Sequence, residues 1–342
     1  MDKQTGPNKE IEPGQEYIID RFKPEDAPGV ARLFLSVYGE GYPIRTYMVP
    51  ELLIAENKAE RIISSVARTT GGDIVGHNAL FNSAPHSGTY ESGAGLVHGA
   101  YRGGKGLWGR LVRHGIDLAA TIPTIDAIFG EPVCNHPFSQ KLTDSMGFTP
   151  MALEVDLMPA AAYEQEASAD GRVSAYLCFT SYSEGDNRLY VPEIYLDKFS
   201  YLYSGFDDKR QILVSEGDYP DGSATTLSCE IFDFGLIARI TVTATGPDLL
   251  EQLDNLEQDL SSRGVLVRQI WLPLHESWSG RSVEALRTTG YFLGGALPHW
   301  FGSDGILMQK LAAPPQWDSI YTNNDRYRKI LEIAKNDWLS LQ

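Results

Sequence analysis

The sequence of 342 residues predicts a mixed α/β protein with two domains. Strand-like runs alternate with amphipathic helical segments in both halves, an order typical of helices layered on a mixed sheet. The chain is too long for one ordinary domain, and its composition, 42% hydrophobic and 22% charged, is that of a protein with packed cores. We therefore expect domains at 16–159 and 172–312, a small polar linker at 160–171 and a C-terminal helical segment at 313–342.

The first half opens with an alternating run that predicts a strand, followed by a helix that begins at Pro24-Glu25-Asp26. Two strand-like runs joined by Gly71-Gly72-Asp73 then predict a hairpin. In chain order, the expected elements are a strand at 17–22, the helix from 24, a helix at 48–62, the hairpin, a strand at 90–99, a helix at 106–122, a strand at 125–133, a short helix, and a strand at 148–159.

The second half begins with an expected strand at 172–181, a helix at 191–205 and a central hairpin. Its closing order of strand, helix, strand, helix and strand is the same as in 90–158, which indicates a weak structural repeat. A last amphipathic helix is expected to dock on the body of the protein. Its apolar stripe comprises Tyr327, Ile330, Leu331, Ala334 and Trp338.

The net charge of −16 argues against nucleic acid and anionic membranes as partners, because both are bound mainly by neutralising phosphates. It mildly favours a cationic substrate, although a soluble protein often carries such a charge for other reasons. No apolar run resembles a secretory signal or approaches the ~18 residues of a membrane span. Three widely spaced cysteines, Cys134, Cys178 and Cys229, predict free thiols without a metal, and a cytoplasmic protein is expected.

The most informative segment is a glycine-rich turn between a strand and a helix. The strand is expected to end near Gly99, Gly103, Gly104 and Gly106 follow, and the helix begins at once. Glycines there permit left-handed backbone angles, so that amide N–H groups turn inward beside the positive end of the helix. The pattern predicts a cradle for a pyrophosphate, flanked by the cations of Arg102 and Lys105, although a nucleotide site or a plain turn fits it too. Neither the Rossmann nor the P-loop spacing is present.

This turn, Tyr-Arg-Gly-Gly-Lys-Gly-Leu-Trp-Gly-Arg-Leu at 101–111, resembles the coenzyme-binding loop of the GNAT superfamily of N-acetyltransferases. A second segment at 135–148 resembles the Asn, Leu-Tyr and Gly-Phe stretch that follows the loop in that family. The resemblance covers roughly 17–158 and implies a GNAT acyl-CoA N-acyltransferase fold, here as two tandem domains with a degenerate second copy. It also implies acetyl-CoA as co-substrate, an amine acceptor and no metal.

The resemblance carries over a set of coenzyme-binding positions. In this sequence they are Leu96, Val97, Arg102, Gly103, Gly104, Lys105, Gly106, Leu107, Trp108, Gly109, Asn135 and Ser139. Two positions depart from the family pattern. Trp108 stands where a small residue is usual, so it either narrows the cradle or packs away from it, and Thr143 stands where a tyrosine commonly reprotonates the departing thiolate.

Amine attack on a thioester needs a general base and donors for the oxyanion, which the resemblance places at the backbone of Leu96 and Val97. Three side chains are candidate bases: Glu91 at the start of the fourth strand, Glu131 after the fifth strand, and His136. For each an ordinary role is open, as an exposed strand-end charge for the glutamates or as a helix cap for His136.

The second half lacks a comparable cradle. Pro247-Asp248 and then Glu251 follow its strand, and these carboxylates would repel a pyrophosphate. The sequence therefore predicts an acetyl-CoA-dependent N-acetyltransferase that transfers directly to a small amine or a protein amine. The alternatives are a non-catalytic acyl-CoA sensor or interaction module and a nucleotide-binding protein.

Overall fold

The structure is a computed structural model that describes residues 11–39, 42, 44–103, 106–160, 171–184, 188–206 and 209–342. The described chain divides into two compact units. One comprises the described residues as far as Ser83 together with Tyr90–Ile128, and the other comprises Ala84–Thr89 and the described residues from Phe129 onward. Gly104, Lys105 and residues 161–170 of the expected linker lie outside the described residues.

The first unit contains an antiparallel sheet of four strands in chain order: β1 (Tyr17–Arg21), β2 (Ile62–Thr69), β3 (Ile74–Phe81) and β4 (Thr89–Val97), whose first residue belongs to the second unit. Its helices are α1 (Ala27–Tyr38), α2 (Pro50–Lys58) and α3 (Leu107–Ala119). The element order predicted for this half is confirmed. The predicted helix at 48–62 was too long, because Glu60 adopts a left-handed φ of 55° that ends the helical path before β2.

Helices cover both faces of this sheet. Phe34 of α1 and Leu53 of α2 are buried in one cluster with Val66 of β2, while Leu111 of α3 is buried in another with Val75 of β3. Glycine permits the close approach of α3, since a Cβ at Gly76 would lie 2.7 Å from Leu111 Cδ1. The core therefore fixes where α3 begins relative to β3.

Strand β5 (Ala127–Gly130) spans the division of the chain between the units. The second unit contains β6 (Thr149–Pro159), β7 (Arg172–Ser181), β8 (Arg188–Val191), β9 (Gln211–Val214), β10 (Thr226–Phe232), β11 (Ile237–Ala244), β12 (Val267–Pro273), β13 (Phe292–Leu297) and β14 (Gly305–Leu311). Its helices are α4 (Phe138–Met146), α5 (Leu196–Tyr203), α6 (Leu249–Ser262), α7 (Ser279–Thr288) and α8 (Asp325–Leu339).

The sheet of the second unit has the order β7-β6-β13-β14-β12-β11-β10. It is mixed, because β11 and β12 run parallel across the α6 connection while the other neighbours are antiparallel. The predicted mixed α/β class is confirmed, and the order β11-α6-β12-α7-β13 matches β4-α3-β5-α4-β6. The prediction of a central hairpin is partly wrong, because β9 pairs in parallel with β8, whereas the strands of a hairpin are antiparallel.

The last helix, α8, docks on β13 and β6 as predicted. Its buried side chains include Tyr327, Ile330 and Ile333, whereas Leu331 and Trp338 are only half-buried, so the buried stripe is rotated from the predicted one. The physical reason is the inward-facing Asp337. Its carboxylate accepts hydrogen bonds from Tyr195 Oη at 2.6 Å and from the backbone N–H of Leu293 at 2.8 Å.

Candidate functional site

The glycine-rich turn runs from the end of β4 to the first residue of α3. Gly103 and Gly106 both have left-handed angles, with φ of 71° and 64°, and Gly106 is the N-cap residue of α3. A Cβ placed at either glycine would meet no atom within 4 Å in the described part of the chain. The outer side of the turn is therefore open at both described glycines, next to the start of α3, where the first amides of a helix have no partner within the helix.

The turn is tied to the body of the first unit by its flanking side chains. Arg102 donates from Nε to the carbonyl oxygen of Val97 at 2.9 Å and remains exposed beside the turn. Tyr101 Oη donates to the carbonyl of Glu12 at 2.9 Å, and the N–H of Gln15 donates to the same hydroxyl. These bonds fix the entry to the turn and keep a cation next to it.

Trp108 lies against β4. The indole Nε1 would be 2.5 Å from a Cβ at Gly95, so the ring occupies the space that glycine leaves on the strand. Leu107 is buried and anchors the first turn of α3 in the core, whereas Trp108 is 39% exposed. The sequence left open whether Trp108 narrows the cradle or packs away from it. The structure supports the second alternative, because the ring packs on β4 beside the turn and leaves the two described glycines open.

Strand β4 departs from regular pairing two residues before its end. Gly93 pairs with Ala79 and Leu96 pairs with His77, so Ala94 and Gly95 together oppose one residue of β3. This β-bulge places Ala94 in a left-handed conformation with φ of 48°. Leu96 and Val97, the predicted oxyanion donors, follow directly after the bulge and are back in register with β3.

His77 holds the bulge and was not identified as a functional residue from the sequence. It is fully buried, its Nδ1 donates to the carbonyl oxygen of Ala94 at 2.9 Å, and its Nε2 lies 3.1 Å from Ser64 Oγ. Burial lowers the pKa of His77 to about 4, so the imidazole is neutral at physiological pH. Only the paired register of β3 and β4 reveals this partner for the bulge.

Glu91 lies on β4 beside a group of aromatic rings. Its Oε2 accepts a hydrogen bond from Ser83 Oγ at 2.8 Å. The ring of Tyr42 is 4.8 Å from that of Tyr38 and 5.1 Å from that of Phe34. Burial, with smaller contributions from Tyr38 and the charge of Glu91, raises the pKa of Tyr42 to about 12. A carboxylate next to π faces is an arrangement that suits a cationic group.

Glu131 belongs to the second unit and pairs there with a guanidinium. Arg239 Nη2 is 3.3 Å from Glu131 Oε1 and 3.3 Å from Glu154 Oε1. Glu154 also accepts from Gln269 Nε2 at 2.8 Å and is fully buried. Burial and then the charge of Glu131 raise the pKa of Glu154 to about 8, although Arg239 opposes the shift. Neither Glu154 nor Arg239 was a sequence candidate.

The residues before and within α4 are held by local bonds. His136 Nδ1 accepts from the backbone N–H of Phe138 at 3.3 Å, which is the capping role left open by the sequence. Ser139 Oγ lies 3.5 Å from the carbonyl oxygen of Val133, and Asn135 is half-buried. Thr143 Oγ1 contacts the carbonyls of α4 and lies 3.1 Å from Tyr327 Oη.

The turn between β11 and α6 has the same place in the element order of the second half as the glycine-rich turn has in the first half. This second turn is filled by a neighbouring segment of the chain. A Cβ at Gly246 would lie 2.7 Å from the carbonyl oxygen of Ser223 and 2.8 Å from Ala224 Cα. Asp248 accepts from the N–H of Thr225 at 2.8 Å, and Thr225 Oγ1 accepts from the N–H of Gly246 at 3.1 Å. The segment 223–225 thus occupies the position that is open beside Gly103 and Gly106.

In the part of the chain that the structure describes, no cluster of three or more His, Cys, Asp or Glu side chains is placed to hold a metal ion. Among the described helices, none combines the length and apolar character needed to cross a membrane.

No family model matches the chain, and no curated protein sequence matches it. Its fold is similar to solved structures of acetyltransferases that each correspond to about half of the chain. One is the ribosomal-protein-S5-alanine acetyltransferase of Vibrio fischeri, with 17% identity, a TM-score of 0.38, and 51% of this chain and 96% of that chain covered. Another is the protein yncA of Salmonella typhimurium, solved with its cofactor acetyl-CoA, with 16% identity, a TM-score of 0.38 and coverage of 49% and 95%.

A third similar structure is a protein of Desulfovibrio desulfuricans assigned to the GNAT family of acetyltransferases. It has 15% identity and a TM-score of 0.37, and the match covers 49% of this chain and 100% of that chain.

Proposed function

We propose that this chain is an acyl-CoA-dependent N-acyltransferase, with acetyl-CoA as donor, whose turn before α3 binds the pyrophosphate of the donor. The observation that carries the proposal is the pair of left-handed glycines, Gly103 and Gly106, with open outer sides at the start of a helix. Backbone N–H groups and the helix dipole both favour an anion there. Arg102 adds a fixed positive charge next to the turn.

The second half supports the same assignment by contrast. Its turn at Gly246 is closed by the segment 223–225, and Asp248 places a carboxylate at the helix start. A pyrophosphate would be repelled by that carboxylate and would clash with the segment. We therefore assign one donor site per chain, in the first half, and a supporting role to the degenerate second half.

The reaction that these residues serve is direct transfer. A general base takes a proton from the acceptor ammonium, and the amine nitrogen attacks the carbonyl carbon of the thioester. The oxyanion of the tetrahedral intermediate accepts hydrogen bonds from backbone N–H groups at the bulged end of β4. The C–S bond then breaks, the nitrogen releases its second proton to solvent to leave the neutral amide, and the departing thiolate takes up a proton from solvent.

Two glutamates receive different roles in this proposal. Glu91, whose charge acts on Tyr42 in its stack with Tyr38, binds the positive charge of the acceptor, because aromatic faces and a carboxylate both attract an ammonium. Glu131 acts as the general base, because Arg239 orients its carboxylate and its side chain is 23% exposed. His136 stays a weaker candidate, since its Nδ1 caps the start of α4.

The two roles predict opposite kinetic signatures in a thiol-release assay with acetyl-CoA and a panel of amines. Glu131→Gln is expected to lower kcat by about 100-fold or more, the usual loss when a general base is removed. Glu91→Gln is expected to raise KM for cationic amines with a smaller effect on kcat. Wild-type kcat in Glu131→Gln would contradict the assigned base, and failure of the wild type to bind acetyl-CoA would contradict the proposed function.

One observation favours a second candidate, a non-catalytic acyl-CoA sensor. Thr143 occupies the position of the usual acidic tyrosine, and its hydroxyl is engaged by Ser139, Gln140 and Tyr327 within the second unit. A donor for the leaving thiolate is thus missing at that position. If the chain binds acetyl-CoA but releases no thiol with any amine of a broad panel, the sensor is supported and the enzyme is not.

A further inference from the structure

A buried carboxyl group shares an ionic partner with the proposed base. In the second unit, one nitrogen of Arg239 on β11 is 3.3 Å from a carboxylate oxygen of Glu131 and 3.3 Å from one of Glu154 on β6. Gln269 on β12 orients this group, because its Oε1 accepts from Arg239 Nε at 3.1 Å while its Nε2 donates to Glu154 at 2.8 Å. Arg239 is further held against the ring of Trp271, 5.3 Å away.

The two carboxyl groups differ sharply in their access to water. Glu154 is fully buried, whereas the side chain of Glu131 is partly exposed. The second oxygen of Glu154, Oε2, is buried and has no hydrogen-bond partner among the residues that the structure describes. An ionised carboxylate with an unsolvated oxygen is costly, while a neutral carboxylic acid tolerates that position far better.

Charge balance points the same way. The titratable and charged groups that face Glu154 are Arg239, Glu131 and the buried thiol of Cys134. One guanidinium balances one carboxylate, so a second ionised carboxylate would leave an uncompensated negative charge in the core. The fully buried Glu154, with its unpartnered Oε2, is therefore the carboxyl group that keeps the proton.

We propose that Glu154 is a positioning residue that holds a proton at neutral pH and thereby leaves their common partner Arg239 to orient Glu131 alone. This inference rests on the proposed function, in which Glu131 is the general base. While Glu154 is neutral, the charge of Arg239 acts on Glu131 alone. When Glu154 loses its proton, the guanidinium is shared between two carboxylates, and Arg239 holds the carboxylate of Glu131 less firmly.

The first part of the test measures the protonation of Glu154 by a method that does not depend on enzyme activity. In the infrared spectrum of the full-length protein at pH 7, we expect a C=O band of a protonated carboxylic acid that disappears in Glu154→Gln and fades in the wild type with a midpoint near pH 8. Glu131→Gln, which leaves Glu154 in place, should lower that midpoint by about one pH unit, because a neighbouring negative charge is removed.

A matched control is Glu257→Gln in the same unit, since Glu257 is likewise a glutamate in ion pairs, in its case with Arg268 and Lys310. It should leave the band unchanged. The inference is overturned if no protonated-acid band at pH 7 depends on Glu154, and it is equally overturned if Glu131→Gln leaves the midpoint where it was.

The second part of the test measures how the rate of thiol release depends on pH. The assay uses one acceptor amine whose own titration is measured separately. The rate of thiol release by the wild type should change with pH, and the midpoint of this change should equal that of the infrared band. Glu154→Gln should lack this ionisation while retaining acetyl-CoA binding. If wild type and Glu154→Gln have the same pH profile, the positioning role is overturned and the proposed function stands. If the wild type releases no thiol, the proposed function fails, and the catalytic role of Glu154 fails with it. The infrared band then still tests whether Glu154 holds a proton at pH 7.

Discussion

At the residue scale, the candidate site depends on backbone conformations that side-chain patterns only partly reveal. The left-handed angles of Gly103 and Gly106 were predicted because glycine is the residue that adopts them readily. The left-handed Ala94 could not be predicted, since alanine carries no such preference and the bulge follows from the register of β3 against β4. For the same reason His77, which supports the bulge, was not among the residues predicted for the site.

The buried neutral imidazole makes the first unit sensitive to acid. Because the folded-state pKa of His77 is about 4 against 6.5 in a model peptide, its contribution to stability is present above pH 6.5 and is lost as pH falls through 4. We expect the free energy of unfolding to fall by roughly 3 kcal/mol more in the wild type than in His77→Asn over that range. Urea denaturation of both proteins at each pH measures the difference, and parallel pH dependences would contradict the prediction.

Glu131 and Glu154 show a second limit of predicting a site from sequence alone. Glu131 was a candidate because it follows a strand, but Glu154 lies inside a strand pattern in which an outward-facing charge is the ordinary interpretation. Only the pairing of β11 and β12, which brings Arg239 beside Gln269, shows that Glu154 faces a buried polar group. A single charged residue within a strand does not reveal its distant partner.

At the element scale, helical and strand periods were reliable and element ends were not. Helix α8 was predicted from its apolar stripe, yet the stripe is rotated because Asp337 faces inward. Its carboxylate joins three elements of the second unit through Tyr195, Arg287 and the N–H of Leu293. An acidic residue on a predicted surface face thus fixes the orientation of the helix.

The buried position of Asp337 predicts a large effect of its removal. Asp337→Ala removes the carboxylate that pairs with the largely buried guanidinium of Arg287 and accepts from the hydroxyl of Tyr195, so the free energy of unfolding should fall by about 3–5 kcal/mol. Glu332→Ala on the same helix removes an exposed pair with Lys329 and should cost less than about 1 kcal/mol. Urea titrations followed by circular dichroism compare the two variants, and equal losses would show that Asp337 is not a key anchor of α8.

At the scale of the whole molecule, the chain repeats one order of elements in two halves that differ at the corresponding turn. The mixed α/β class and the repeat were predicted from the alternation of strand and helix patterns. The closure of the second turn by residues 223–225 was not, because it depends on a contact between segments that have no sequence signature. The acidic residues around Asp248 led to the prediction that the second half lacks a donor cradle, and the filled turn at Gly246 supports that prediction.

The most direct measurement is calorimetric titration of acetyl-CoA into the wild type and two glycine variants. Gly106→Glu places a carboxylate in the turn, whereas Gly264→Glu places one at a second open, left-handed glycine, with φ of 71°, after α6. Each left-handed side chain should cost about 1–2 kcal/mol of stability, so the pair is matched for strain. We predict one binding site per chain in the wild type, retained in Gly264→Glu and lost in folded Gly106→Glu. Binding of acetyl-CoA to Gly106→Glu with wild-type affinity would contradict the assignment of this turn as the donor site.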